Sequence, residues 1–583
     1  MTLHDIKMTR PSARDGAVTT PWWKKATGYQ IYPRSFCDSN GDGIGDIPGI
    51  ISKLDHLQDL GIGFIWLSPV YRSPMVDNGY DISDYQDVAP EYGTMQDLDR
   101  LIDEAANRGI GLVMDLVVNH CSDQHAWFRK AVASSVCREH DYFIWADATD
   151  GPDVLPSDIE SVFGGPAWTH LPEVGKFYFH QFASGQPDLN WQNPELRAEI
   201  YAMMNWWLDR GIAGFRMDVI DLIGKDVGAG KLAEGPYLHD FLQEMHSQTV
   251  KGRDVLTVGE SWCASPETGP LYCGEDRDEL SMIFQFDHIK ATWDPEFGKW
   301  KNVPVDLPRF KTTLANWQYA LEDSGWNSLF LSNHDLPRQV SRYGDDGTYR
   351  NRSAKMLAIM MHLLKGTPFV YQGEEIGMTN ANFHSLEQYR DLEVAGRLAE
   401  ALEKGSTVEV FLEGARRNAR DNARTPMQWT AGENAGFGAG APWIDVNMNH
   451  TTINVAADGA DPDGIIHTYK QLIEMRKTSA VVREGRTTFH VVDHKQVCAY
   501  TRELGDQTIA VVANMSADSV EFVAPPALCG QGQPLVSNIA SRHSIDSVTV
   551  LEPYEAYAVL RNAQHSKRCC HQNGVVAQHA LEA

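Results

Sequence analysis

The stretch TMQDLDRLIDEAANRGIGLVMDLVVNH, residues 94–120, holds two hydrophobic periods in succession. In its first half Leu98, Leu101, Ile102 and Ala105 return at three- and four-residue spacing, the mark of a helix with one buried face. After Gly109 the pattern becomes a continuous apolar run, as in a strand covered on both sides within a parallel sheet. The segment just upstream, GFIWLSP (63–69), reads as the strand before the helix, so the three together predict a βαβ unit.

The unit recurs along the chain. ATGYQIYP (26–33) is followed by a helical pattern in IPGIISKLDHLQDLG (47–61). GFRMDVI (214–220), VLTVGES (255–261), SMIFQFDH (281–288), NSLFLSNHD (327–335) and PFVYQGEE (368–375) continue the series of strands. Eight strands alternating with helices predict an α/β fold: a closed (β/α)8 TIM barrel, in preference to an open doubly wound sheet. Two stretches break the rhythm. Residues 121–190, rich in Gly, Pro and aromatics, are too long for a structureless loop and predict an inserted, loop-rich domain after strand 3. From 485 the pattern turns to short alternating strands, predicting a C-terminal antiparallel β domain over 485–562. The barrel then takes 20–120 and 191–484, with a further insertion at about 377–430 and a polar, disordered tail at 563–583.

Bulk properties narrow the function. At 583 residues and 43% hydrophobic, with 16 Trp, 20 Tyr and 21 Phe, the chain can bury a large core. A formal charge of −27 argues against nucleic acid and anionic membrane as partners. There is no apolar h-region near the start and no run of about 18 apolar residues. Nine scattered cysteines predict reduced thiols in a cytoplasmic protein.

Barrel enzymes draw their chemistry from the C-terminal ends of the strands. Those ends carry Asp115, Asn119 and His120 (strand 3), Arg216 and Asp218 (strand 4), Glu260 (strand 5), and Asn333, His334 and Asp335 (strand 7). Asp218, Glu260 and Asp335 therefore converge on one mouth. Crowded carboxylates raise one another's proton affinity, which is how one stays protonated beside one that is ionised. Glycoside hydrolysis requires that pairing, with one carboxylate attacking and one acid protonating the leaving oxygen. A divalent-metal site is the competing use of three carboxylates, and Arg216 among them would repel the cation. A second acidic group, FCDSNGDGIGDIPGI (36–50), spaces Asp38, Asn40, Asp42 and Asp46 at every second position, with the Ile44 carbonyl available between them. This suits a Ca²⁺ loop without the EF-hand ending, Gly49 standing where the bidentate Glu would be; a polar Gly/Asp turn is the alternative.

DLVVNH, GFRMDVI, GES and SNHD resemble the four signature regions of the α-amylase superfamily, glycoside hydrolase family 13. QPDLN (186–190), YQIYPRSF, DSNGDGIGD, NGYDISDY, YQGEEIGM and RDNARTPMQW are similar to its oligo-1,6-glucosidase subfamily over about residues 20–560. The resemblance implies Asp218 as nucleophile, Glu260 as general acid/base and Asp335 as the carboxylate that steadies the distorted sugar, with Arg216 keeping Asp218 ionised. It implies a subsite for the non-reducing glucose at Asp77, Tyr80, His120, Phe182, His334 and Arg420, the last in preference to Arg424. It also implies a structural Ca²⁺, in some members Mg²⁺, at Asp38, Asn40, Asp42, Ile44 and Asp46. Val219 after the nucleophile resembles α-1,6-acting members, whereas α-1,4-selective ones carry Ala, Thr or Gly. The short span from Asp218 to Glu260 and the sequence GESW resemble the glucan 1,6-α-glucosidase (dextran glucosidase) branch, with Trp262 as a stacking platform for the second sugar. The implied activity is exo-hydrolysis of neutral α-1,6-linked oligosaccharides with retention, by a chain expected to be monomeric. A sucrose isomerase or an α-1,4-glucosidase would share the same three carboxylates, but the Arg- and Asp-rich motif of the isomerases does not appear.

Overall fold

The computed structural model describes residues 20–149 and 151–562; the expected tail lies outside them. Eight strands form the barrel: β1 (Gly28–Ile31), β2 (Phe64–Leu67), β3 (Gly111–Leu116), β4 (Gly214–Met217), β5 (Leu256–Ser261), β6 (Met282–Gln285), β7 (Ser328–Leu329) and β8 (Thr367–Tyr371). They pair in parallel in the order β6-β5-β4-β3-β2-β1-β8-β7, and a parallel bridge from Ile283 to Asn327 joins the two ends into a ring. The strands are buried along almost their whole length, which is why they read as unbroken apolar runs. The helix between β2 and β3 spans Met95–Asn107, started by a capping box between Thr94 and Asp97.

Two elements differ from expectation. The helix over 47–61 is two helices, Ile47–Ser52 and Leu54–Leu60, because Lys53 leaves helical geometry at φ −110°, ψ 4°. The first of them is pressed against the preceding loop: a Cβ on Gly49 would lie 2.0 Å from the Cys37 carbonyl oxygen. β7 is only two residues long, since the ring closes there through a single bridge and the backbone then leaves the ladder. Asn333–Asp335 accordingly lie on the turn beyond the strand.

Between β3 and β4, Trp145–Asp147, Lys176–Phe179 and Trp168–Leu171 form a small antiparallel sheet over its own apolar cluster. Buried Lys225 fastens this segment to the mouth: its Nζ donates to Asp188 Oδ2 at 2.5 Å and to Asn119 Oδ1. After β8, helices Leu392–Glu403 and Val408–Asn418 carry a third cluster around Phe411. The C-terminal strands form a five-stranded antiparallel sheet through Arg486–His490, Val497–Leu504, Gln507–Asn514, Ala556–Asn562 and Gln533–Ser537. Lys311 of the barrel secures it by donating to the carbonyls of Val491, His494 and Val497. Among the described residues no helix is long and apolar enough to cross a membrane.

Candidate active site

The C-terminal ends of the strands open on a cavity of about 540 Å³. Asp218, Glu260, Asp335, Asp77, Tyr80, His120, Phe182, Val219, Trp262 and Arg420 all line it. Arg216 and His334, also expected to meet substrate, sit one layer beneath.

Arg216 is 1% exposed and organises the floor. Its Nη1 donates to Asp115 Oδ1 (2.8 Å) and Asp218 Oδ1 (2.7 Å), and its Nη2 to Glu260 Oε2 (2.5 Å). One guanidinium thus holds both carboxylates that a retaining mechanism needs. Asp115 stays behind them, accepting at Oδ2 from Trp66 Nε1 and Tyr80 OH, each at 3.0 Å. Burial pushes the Asp218 carboxyl well above the ordinary carboxylate range; Arg216 opposes this, while Glu260 and Asp115 add to it. Burial likewise raises Asp115. The bond expected between Arg216 and Asp218 is present, and the guanidinium charge favours the ionised carboxylate against burial. Its single charge is shared among three buried carboxylates, Asp115, Asp218 and Glu260.

Asp335 is the opposite case. Burial works against its charge, yet the His334 ring and the Arg420 and Arg424 guanidiniums hold it well below the usual carboxylate range. Arg420 Nη1 (3.2 Å) and Arg424 Nη2 (2.9 Å) both reach its Oδ1. Only Arg420 lines the cavity, where it also reaches Asp77 Oδ1 at 3.4 Å; Arg424 turns its Nε to the His334 carbonyl at 2.9 Å. Asp77 is raised to about 6, by burial against the pull of the two arginines. Burial also lowers His120 to about 4 and His334 to about 3, so both rings are neutral at pH 7. His334 Nδ1 lies 2.7 Å from the side-chain amide of Gln30. Tyr80 stacks on this ring at 5.2 Å and 7°, and Phe182 stands 5.0 Å from His120.

Several contributors escaped the sequence reading. Asp391 accepts two bonds from Arg420 (2.8 and 2.5 Å), and Lys299 donates to Glu393 at 2.7 Å on the outer wall. Phe163 lies over the Arg420 guanidinium at 5.3 Å. None of them stands beside a strand-end motif, so no local signal marks them.

Val219 is not part of a strand. It follows β4 in the left-handed region at φ 36°, ψ 45°, where a β-branched residue costs about 1–2 kcal/mol. That turn aims its N–H at Glu260 Oε2, 3.0 Å away, and faces its side chain into the cavity. Strand propensity therefore does not account for Val here. Trp262 lines the cavity with one face stacked on Phe286 at 3.8 Å and 12°.

The acidic loop keeps Asp38, Asn40, Asp42, Ile44 and Asp46 together, with each side-chain acceptor turned toward the loop's own groups. Asp38 accepts from Asn40, Gly41 and Gly43 N–H, Asn40 from Asp42, and Asp42 from Ile44. Asp46 caps the next helix through Gly49 N–H at 2.6 Å and accepts from Ser39. Among the described residues no three His, Cys, Asp or Glu side chains converge as a metal cage. The oxygen-only donor set is that of a hard cation, and none of these residues lines the cavity.

Comparison with known proteins identifies the family. Residues 30–485 match the family model described as alpha amylase, catalytic domain. A palatinase from Erwinia rhapontici is 52% identical over 93% of this chain and 99% of its own length. A glucan 1,6-alpha-glucosidase from Streptococcus pneumoniae is 48% identical over 92% of this chain and 99% of its own. The solved isomaltulose synthase of Erwinia rhapontici NX5 superposes with a TM-score of 0.90 at 38% identity, over 94% of this chain and all of that one. The chain belongs to the α-amylase family, glycoside hydrolase family 13, and is a glycoside hydrolase.

Proposed function

We propose that the protein is a retaining, exo-acting α-glucosidase that releases glucose from the non-reducing ends of α-1,6-linked isomalto-oligosaccharides or dextran through a covalent glucosyl-enzyme. The observation that carries this is Arg216 bonded to both Asp218 and Glu260 at the floor of a cavity whose end wall is the Asp77–Arg420–Asp335 cluster. An end wall of that kind suits one terminal sugar, and Asp218 and Glu260 are the nucleophile and acid/base of a two-carboxylate mechanism. The relative named glucan 1,6-alpha-glucosidase supports the linkage. The likeness to an isomaltulose synthase supports the rival reading, rearrangement of sucrose over the same carboxylates. Glucose release from isomaltose, isomaltotriose, short dextran, isomaltulose, maltose and sucrose decides between them. Release from the 1,6-linked series, rising with chain length, is the expected result; conversion of sucrose mainly to another disaccharide would sink the hydrolase assignment.

Val219 supplies the linkage test. Val219→Ala removes two methyl groups from the cavity floor beside Glu260, and Val219→Thr replaces one of them by a hydroxyl, changes of a size worth roughly tenfold between competing substrates. The expected outcome is a rise of about tenfold in the maltose-to-isomaltose ratio of kcat/KM. An unchanged ratio would refute the role given to Val219.

The loop from Asp38 to Asp46 is proposed to hold a structural Ca²⁺ or Mg²⁺, since its donors are all oxygens and Asn40 and Asp42 are exposed, so that their local hydrogen bonds can be exchanged for a cation. Saturating Ca²⁺ should raise the melting temperature by a few degrees over EDTA. Asp42→Ala should remove that difference while leaving activity in place; an equal response in the variant would rule the loop out. The seven cysteines among the described residues are all free, which supports a reducing, cytoplasmic setting.

A further inference from the structure

We propose that Trp262 is a positioning residue for Glu260: its indole N–H fixes the one carboxyl oxygen that delivers and recovers the catalytic proton. This rests on the reading of Glu260 as the acid/base. Glu260 Oε2 is engaged twice, by Arg216 Nη2 at 2.5 Å and by the Val219 N–H at 3.0 Å. An oxygen already facing a guanidinium and an amide cannot present a proton to the substrate, so the work falls to Oε1. The bond recorded at Oε1 comes from Trp262 Nε1, at 3.0 Å. In the plane of the carboxyl group Oε1 has two directions for hydrogen bonding. The indole N–H takes one and leaves the other as the seat of the proton.

The donor is itself immobilised. Phe286 stacks on the indole at 3.8 Å and 12°, and Trp293 lies 6.0 Å from it at 29°. Lys290 Nζ donates to the Trp262 carbonyl at 2.8 Å. A ring held in this way sets the torsion of the carboxyl group rather than following it, which is the preorganisation that proton transfer needs. In the first step the Oε1 proton passes to the glycosidic oxygen as its bond to C1 breaks and an Asp218 oxygen bonds C1. In the second, water bonds C1, Asp218 departs and the water proton returns to Oε1.

A platform for the second sugar and a guide for the acid are separated by leaving-group acidity. The 4-nitrophenyl and 4-methoxyphenyl α-glucosides offer aglycones of similar size, but only the methoxyphenol needs protonation to leave. Trp262→Phe keeps the ring and its stack and removes the N–H. The expected result is a loss of about tenfold in kcat/KM on isomaltose and the methoxyphenyl glucoside, and less than about twofold on the nitrophenyl glucoside. Equal losses on the two aryl glucosides would overturn the proposal. Glu260→Gln, measured in parallel, tests the underlying reading: if it shows no such selectivity, Glu260 is not the acid/base and the failure lies there. Should Trp262→Phe not fold, Phe286→Leu, which loosens the indole from beneath, carries the same comparison and the same two outcomes.

Discussion

Asp218→Asn will lower kcat on isomaltose by about ten-thousandfold or more, equivalent to about 5.5 kcal/mol of lost transition-state stabilisation, and will leave the protein folded. The loss is large because the amide cannot form the glucosyl ester on which the proposed two-step mechanism depends. The fold survives because Asn is isosteric with Asp and Arg216 keeps two carboxylate partners, Asp115 at 2.8 Å and Glu260 at 2.5 Å. Burial and two neighbouring carboxylates already disfavour a charge at 218, so the unfolding midpoint of the variant should equal or exceed that of the wild type. Two further readouts separate a missing nucleophile from a merely disturbed pocket. Early product from the wild type should be α-glucose by NMR, since two displacements retain configuration. Asp218→Ala with azide should make β-glucosyl azide, because the small anion can attack C1 from the vacated side. A variant that keeps more than about one per cent of wild-type kcat would remove Asp218 from the nucleophile's role.

The sequence displays some of this architecture and conceals the rest, for identifiable reasons. The barrel strands are legible because both faces of a parallel sheet are covered, which turns residues such as those of Gly111–Leu116 into an unbroken apolar run. Asp218 and Glu260 are legible because each stands at a strand end, where a buried run stops on a charge. Asp77 and Arg420 carry no such mark; they meet across 343 positions of chain and only the family resemblance points to them. Lys299 and Glu393 come from segments 94 residues apart, so their pairing on the outer wall is a product of tertiary packing alone. The left-handed backbone of Val219 is hidden by its identity, because Val is among the last residues a turn of that kind would select. Trp262 shows a different limit. Its partner Glu260 is two residues away, yet which atom of the indole meets it depends on Phe286 beneath the ring.

Glu374→Gln tests a buried acid outside the mouth. Glu374 follows β8, is 5% exposed, and accepts from Ser332 Oγ. Burial pushes its carboxyl up to about 8; Ser332 and Arg338 pull it down and the charge of Glu375 pushes it up again. A carboxyl raised in the folded state holds its proton where the unfolded chain has lost it. Its contribution is therefore fully present below the unfolded value, about 4.3, and is lost as pH rises through about 8. Gln carries no charge in either state and can still accept from Ser332. The variant should match the wild type in urea unfolding near pH 4.5 and exceed it near pH 8. The shift allows at most about 5 kcal/mol, and local relaxation reduces the expected gain to roughly 2 kcal/mol. Glu375 is the internal contrast. Its Oε1 accepts from Tyr29 OH at 2.8 Å and its Oε2 from the Gly373 N–H at 2.8 Å. Gln there can keep the Gly373 bond through its oxygen, but it removes the acceptor that Tyr29 OH and His56 Nε2 (3.1 Å) share. Both must then turn round to accept from the amide, so Glu375→Gln should lower the unfolding free energy by about 1–3 kcal/mol at pH 8. Two neighbouring glutamates then respond to the same change with opposite signs. If Glu374→Gln is instead destabilising at pH 8, the residue is ionised there and the charge of Arg338 outweighs burial.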